Sequence, residues 1–359
     1  MAHRVAVFTA DNHLRPHAWV RYPELQGDAY FAWNQIIEYC LQASIPLLQL
    51  GDLFDSPTPD SQSVQVYLES LRELQRAALS CFYVQGNHDR ADTPWASLAG
   101  GAQEVIRGFS LGGYKVGGLS FSKQVSDPAF LRDATRGLDI FLAHQSWKEI
   151  QKVGHTDATL EHVHCPMVLT GDYHVQLTEK CEGGDGPVTA HSPGSTAMQA
   201  INEPEDKYFG VLNDDGVVAF VKLRTRPVLR YLLTGDEELE DFCRTIAPAI
   251  DQVSAAAASQ VKKPIVQVKY SELLANAYER VNAAVGSAGF LFLQPQIDKA
   301  HVTVSLDKDQ FIGLAEAARQ LATDATVGED AASLVRAADS PHAIAELRTS
   351  FMDREQSAL

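Results

Sequence analysis

The chain has 359 residues, 45% hydrophobic and 21% charged, which is globular composition with room for two or three domains and a full apolar core. Its 30 Lys and Arg stand against 46 Asp and Glu, a net charge of −16 that excludes a chain-wide basic face for nucleic acid. The parts before and after Arg226 are both acidic, so neither is a basic tail. The five cysteines (Cys40, Cys81, Cys165, Cys181 and Cys243) include no pair at metal-finger or redox spacing. They are expected as small buried hydrophobes in a reducing compartment. No signal-peptide core follows Met1, and no apolar run approaches the roughly 20 residues of a membrane span. A soluble cytoplasmic protein with no membrane contact is expected.

Taken in chain order, the first two thirds alternate short apolar runs with helical patterns. Residues 5–9 form a run that stops before Asp11, and residues 29–42 repeat apolar side chains at helical spacing. Residues 46–50 run into Gly51-Asp52, and residues 64–79 read as a second helix. Residues 81–85 run into Gly86-Asn87-His88, 140–143 into His144, and 167–170 into Gly171-Asp172. Short apolar runs separated by helices indicate βαβ units and a largely parallel sheet whose strands are covered on both faces. Residues 115–121 and 188–191 read as further strands. Residues 208–212 and 217–223 read as a hairpin around Asn213-Asp214-Asp215-Gly216.

Beyond Arg226-Pro227 the pattern changes. Strands at 228–233, 265–270 and 290–293 alternate with helices at 237–258 and 271–285, a small mixed α/β module. Helices are expected at 310–322 and from Ser340-Pro341 onward, the second with an apolar stripe of Ile344, Leu347 and Phe351.

Five strand ends thus carry Asp11-Asn12-His13, Gly51-Asp52-Leu53-Phe54-Asp55, Gly86-Asn87-His88-Asp89, His144 and Gly171-Asp172-Tyr173-His174. In open α/β sheets, ligands bind outside the carboxyl ends of strands. The donors are carboxylates, imidazoles and an amide oxygen, a set that suits Mn²⁺, Fe or Zn²⁺ better than a structural zinc site. Donors two residues apart, as in Asp11/His13, leave one strand end on the same side. A carboxylate such as Asp52 can bridge two ions about 3.5–4 Å apart, the spacing of in-line phosphoryl displacement. Each motif alone is common; five in order at strand ends are not.

This order over about residues 5–226 resembles the calcineurin-like metallophosphoesterases. Within them, His144-Gln145 and Ser192-Pro193-Gly194-Ser195 resemble the SbcD-type DNA repair nucleases. The resemblance implies an α/β fold, a sandwich of mixed β-sheets flanked by helices with a smaller α/β capping domain at the C-terminus. It places a metallophosphoesterase (nuclease) domain at 1–226, a DNA-capping domain at 227–300 and C-terminal helices at 301–359. The last segment, with its apolar stripe, would dock on a partner or pack on its own domain.

The resemblance further implies two divalent ions, expected as Mn²⁺ with Mg²⁺ or Fe as alternatives. Asp11, His13 and His174 would hold one, Asn87, His144 and Asp172 the other, and Asp52 would bridge. His88 would protonate the leaving 3′-oxygen or orient the phosphate, and Asp89 would orient His88. Asp55 would be structural at the strand-to-helix turn or cap the following helix.

The implied activity is a 3′→5′ exonuclease, with or without endonuclease cleavage, in DNA repair and recombination. The protein would be a homodimeric nuclease subunit of an SbcCD-like complex with an SbcC-type coiled-coil ATPase. In so acidic a chain, phosphate contacts fall to candidates Arg90, Arg107, Lys123, Arg132, Lys148, Lys262 and Lys263, or to the partner. The same metal core fits a phosphodiesterase of small nucleotides. A scaffold without activity would have lost His88 or several ligands, and all are present.

Two departures from the family pattern stand out. Leu14-Arg15 follows His13 where the family carries a nearby glycine, so Arg15 or His17 either reaches substrate phosphate or belongs to a solvated loop. Asp172 stands where the family has histidine, and its added negative charge favours Mn²⁺ or Mg²⁺ over softer metals. Asp172→His is expected to shift metal preference toward softer ions in elemental analysis after exposure to mixed metals. Unchanged occupancy and preference would refute that.

Overall fold

Every apolar run singled out in the first 226 residues is a strand in the computed structural model, which describes residues 2–19, 22–89, 95–97, 101–105, 108–151, 158–256, 263–271 and 273–296. In chain order the first strands are β1 (Arg4–Thr9), β2 (His17–Trp19), β3 (Tyr22–Gln26), β4 (Leu47–Leu50), β5 (Cys81–Val84) and β6 (Ala102–Glu104). There follow β7 (Phe109–Leu111), β8 (Tyr114–Leu119), β9 (Ile140–His144), β10 (Met167–Gly171), β11 (Leu177–Gly183) and β12 (Gly186–Ser192). The last are β13 (Tyr208–Asn213), β14 (Val218–Lys222), β15 (Val228–Leu233), β16 (Ile265–Ser271) and β17 (Phe290–Gln296). The helices are α1 (Asp28–Ala43), α2 (Ser61–Arg76), α3 (Pro128–Thr135), α4 (Asp236–Ala256) and α5 (Ala277–Val285).

Two six-stranded sheets carry the architecture, in the orders β14-β13-β1-β4-β5-β6 and β11-β12-β10-β9-β8-β7. Both are mixed: β1, β4, β5 and the edge strand β6 run together beside reversed β13, and β8, β9, β10 and β12 run together between reversed β7 and β11. The expected α/β sandwich of mixed sheets is therefore the observed one.

The alternation of side chains along each strand builds the layers. Phe8, Leu48, Leu50 and Val84 of the first sheet meet Val116, Ile140, Leu142 and Leu169 of the second. On the outer face of the first sheet, Trp33 and Ile36 of α1 and Tyr67 and Leu71 of α2 cover Val7, Leu47 and Tyr83. On the outer face of the second, Phe141 and Ala143 of β9 pack on Trp147, Leu160 and Leu131 of α3.

Helix boundaries show what the sequence reading overlooked. α2 begins at Ser61, not at 64, because the Asp60 carboxylate accepts the N–H groups of Gln62 and Ser63. α4 runs straight through Pro248, its first turn carrying Asp236, Glu237 and Glu238 against the helix dipole. β16 continues to Ser271 and α5 starts at Ala277, so the expected helix start at 271 is the end of a strand.

The third sheet, β15-β16-β17, is covered by α4 and α5, with Phe242, Ile246 and Val281 packed on Val266 and Val268. It is fastened to the rest by Arg226, whose side chain is 6% exposed. Arg226 pairs with Asp28 at the start of α1 and donates to the carbonyls of Lys263 (2.6 Å) and Gln26 (3.3 Å). Beside it Val228, Ile265 and Phe290 close on Leu25 and Met198.

The described residues 2–295 belong to one compact unit. The expected helices at 310–322 and beyond Ser340, with Ile344, Leu347 and Phe351, lie outside the described residues. Among the described residues no helix is long and apolar enough to cross a membrane. Cys40, Cys81 and Cys165 are buried, and Cys181 and Cys243 partly so.

His191 in β12 is 8% exposed, its Nδ1 2.9 Å from Thr178 Oγ1 on β11. Burial, and then the charge of Lys180, pull its pKa down to about 4. Neutral His191 is thus the folded form. Its contribution is present above the unfolded value of about 6.5 and is lost as pH falls toward 4, a loss on the order of 3 kcal/mol. Denaturant unfolding at pH 7 and pH 4 is expected to show a smaller loss for His191→Gln than for the parent. Equal losses would refute it.

Candidate metal centre

The strand ends converge because β1, β4 and β5 are parallel neighbours, while β9 and β10 are parallel neighbours in the facing sheet. After β4 the turn is closed by Gln49, whose amide donates to Gly51 O (2.8 Å) and accepts from Gly51 N (3.1 Å). Asp11, His13, Asp52 and Asp172 hold φ at 47°, 41°, 51° and 78°, four of the seven non-glycine residues at positive φ among those described. Such backbone costs about 1–3 kcal/mol per residue and concentrates where function over-determines it. Two glycines make room. A Cβ on Gly51 (φ 88°) would lie 2.3 Å from His144 Nδ1, and one on Gly86 would lie 2.0 Å from Asp52 Oδ1.

Asp11, His13, Asp52 and His144 are all buried. His13 Nε2 lies 3.4 Å from His174 Nε2 and 3.8 Å from Asp52 Oδ2. His144 Nε2 lies 3.4 Å from the same Asp52 oxygen, 3.1 Å from Asn87 Oδ1, 3.7 Å from Asp172 Oδ1 and 3.9 Å from Asp11 Oδ1. His144 Nδ1 is 2.8 Å from Leu50 O, and since a carbonyl only accepts, that nitrogen carries the proton. The Nε2 lone pair of a neutral His144 therefore faces the oxygen of Asn87, and two acceptors at that distance require a cation or proton between them. The carboxylates are also held from behind. Asp172 N donates to both oxygens of Asp11 (3.2 and 3.1 Å), Ser146 Oγ donates to Asp172, and His88 N donates to Asp52 Oδ1 (2.9 Å).

Charge tells the same story. Burial pushes the Asp11 carboxyl up, against the pull of His144, His174 and His13. Burial pushes Asp52 up too, but its hydrogen bond to His144 and the charges of His144 and His13 outweigh this and hold it at about 2. Burial would lower His144, yet Asp52, then Asp11 and Asp172, raise it to about 10. The centre draws positive charge, and its oxygen and imidazole donors suit a hard or borderline divalent ion. Three groups place ligand atoms within 4.8 Å of one another: Asp11/His13/His174, Asp11/Asp52/His144 and His13/Asp52/His88. Sharing Asp11 and Asp52, they fit a binuclear site.

All seven expected metal ligands meet here: Asp11, His13 and His174 together, with Asn87, His144 and Asp172 around the His144 ring and Asp52 between. Asp89 differs from expectation. Its oxygens accept the N–H groups of Gly86 (2.7 Å) and Leu53 (2.6 Å), satisfying the tight turn rather than orienting His88. Burial, then the charge of Asp52, push its pKa up to about 6 despite those N–H groups. His88 is exposed, and its Nδ1 lies instead 3.2 Å from Asp55 O.

Asp55 is not the helix cap, a role taken by Asp60. Its Oδ1 is 3.2 Å from His13 Nδ1, and its Oδ2 accepts from Arg15 (2.8 Å). Arg15 also donates to Gln199 Oε1 (2.7 Å), so it belongs to the support of the centre; the His17 side chain lies outside the described residues.

Glu203 and Lys207 escaped the sequence reading. Glu203 Oε1 is 2.8 Å from His174 Nδ1, and Lys207 Nζ is 2.7 Å from Glu203 Oε2. Their only trace in sequence is opposite charge four residues apart, a common spacing.

Of the candidate phosphate contacts, Lys123 and Lys148 are exposed, Arg132 pairs with Asp133, and Lys263 sits 4.3 Å above the Phe290 ring. Arg90, Arg107 and Lys262 lie outside the described residues.

Residues 5–181 match the calcineurin-like phosphoesterase family. With the Asp/His centre at its strand ends, this part of the chain has the fold and the donor set of a metal-dependent phosphoester hydrolase. The chain is 24% identical over 247 residues, 62% of its length, to the DNA double-strand break repair protein Mre11 of Methanosarcina acetivorans. It is 27% identical over 121 residues, 33% of its length, to the protein of that name from Methanococcus maripaludis. The matches span 39% and 30% of those relatives.

A divalent cation at about 100 times its Kd is expected to add about 2.7 kcal/mol to folding stability. Thermal unfolding with and without a chelator reads this directly. Asp52→Asn should lose most of the difference, and an equal shift in that variant would place the ion elsewhere.

Proposed function

We propose that the chain is a two-metal DNA nuclease, a 3′→5′ exonuclease of double-strand break repair and recombination. The observation that carries this reading is exposed His88 at the rim of a buried centre, where a polymer end can reach a proton donor from an open surface. The names of the two matched relatives support the choice of DNA. In this reading residues 1–226 form the nuclease domain, 227–300 its cap, and 301–359 dock on an SbcC-type coiled-coil ATPase. That partner would supply the DNA affinity that so acidic a chain makes poorly, and the chain would also pair with a second copy of itself.

Asp11, His13 and His174 would hold one ion and Asn87, His144 and Asp172 the other, with Asp52 between. Two such ions, expected as Mn²⁺, would supply Lewis-acid polarisation of the phosphodiester and an activated water. The chain's own residues do the rest. Asp52 fixes the His88 backbone through its N–H, and Asp55 O accepts from His88 Nδ1, which leaves Nε2 as the mobile proton site. The His88 imidazolium gives its Nε2 proton to the 3′-oxygen as the P–O bond breaks, leaving neutral imidazole and a 5′-nucleotide.

Digestion of end-labelled linear duplex with Mn²⁺ is expected to proceed from 3′ ends and to fall about 10²–10⁴-fold in His88→Ala. Cleavage of a generic phosphodiester dye without digestion of DNA would overturn this in favour of a small-nucleotide phosphodiesterase.

A further inference from the structure

His13 Nε2 and His174 Nε2 face each other at 3.4 Å, so whatever binds between them depends on which nitrogen of each ring keeps its proton. For His174 the other nitrogen meets Glu203 Oε1 at 2.8 Å. The second oxygen of Glu203 takes three donors: Lys207 Nζ (2.7 Å), Gln199 N (3.0 Å) and Ser195 Oγ (3.3 Å). Lys207 is 2% exposed and also donates to Ser195 Oγ at 2.8 Å. A buried ammonium is tolerated only when paired, so Lys207 and Glu203 hold each other in place. The backbone carrying Glu203 is tied down from the third sheet, where Arg230 of β15 donates to Ile201 O (3.3 Å) and Glu203 O (3.0 Å). His144 has no such support: its Nδ1 rests on the neutral carbonyl of Leu50.

We propose that Glu203 is a positioning residue for the ion held at His13 and His174. Its carboxylate accepts the Nδ1–H of His174, fixes the tautomer that presents the Nε2 lone pair, and raises the donor strength of the ring. Lys207 and Ser195 keep the carboxylate in register, and Arg230 makes the third sheet part of that support. The proposal rests on the metal role of His174 and is independent of the substrate.

Calorimetric titration of the full chain with Mn²⁺, with elemental analysis, tests it. Glu203→Gln is expected to weaken one of the two ions by about 10–100-fold and leave the other unchanged. His174→Ala should lose the same ion. If His174→Ala binds both ions like the parent, the metal role of His174 fails. If it loses one while folded Glu203→Gln keeps both, or loses both alike, the positioning role is overturned. Because Glu203→Gln strands the Lys207 ammonium, Glu203→Gln/Lys207→Met, which removes both charges, is judged by the same outcomes. In ¹⁵N spectra of the neutral ring without added metal, His174 should be Nδ1-protonated in the parent and lose that preference in Glu203→Leu/Lys207→Met, which offers Nδ1–H no acceptor at 203. An unchanged tautomer also overturns the role.

Discussion

Two ring nitrogens from facing sheets reach for one carboxylate oxygen. Asp52 Oδ2 lies 3.8 Å from His13 Nε2 and 3.4 Å from His144 Nε2, while its other oxygen holds the N–H of His88. A charge this deeply buried persists only when each of its oxygens is matched. That demand explains the local covalent choices: a glycine at 86 because an Asp52 oxygen occupies the Cβ position, a glycine at 51 because the His144 ring does, and left-handed backbone at Asp52 itself. The sandwich core supplies what those strained turns cost. Its inner layer, from Phe8 to Leu169, fixes the distance between the sheets and so the distance between the imidazoles.

Around this centre the supports are unequal. His13 and His174 are each backed by a carboxylate that has its own cation, Asp55 with Arg15 and Glu203 with Lys207. Gln199 touches both pairs, through Arg15 on one side and Glu203 on the other. His144 leans on uncharged backbone. The centre is thus electrically stiff on one flank and plain on the other, an asymmetry that the near-symmetric list of donors conceals.

Much of this was legible in the sequence, for a physical reason. β1, β4, β5, β9 and β10 are covered on both faces, so they read as unbroken apolar runs, and the polar residues just past them stand out. β11 was not legible. It is an edge strand that alternates partly buried with exposed positions and carries Glu179, Lys180 and Glu182, which reads as a polar loop. β6 and β7 have three residues each, too few for a period. The ligands were legible because their motifs sit at strand ends. The partners of Asp89 are backbone N–H groups, which no residue type announces. Glu203 meets His174 across 29 residues of chain, a contact made by the path of the 195–207 segment over the third sheet.

The family signature ends at residue 181, yet the molecule does not come apart there. β12 is the inner neighbour of β10, and β13 that of β1. A fragment cut at the signature's edge would open both sheets beside their central strands, baring rows of N–H and C=O, and would leave His174 without its carboxylate. The recognisable part and the separable part of this protein are different objects. Grafting or truncation that preserves the centre has to follow the sheets through β14 and on to Arg230 of β15, not the motif.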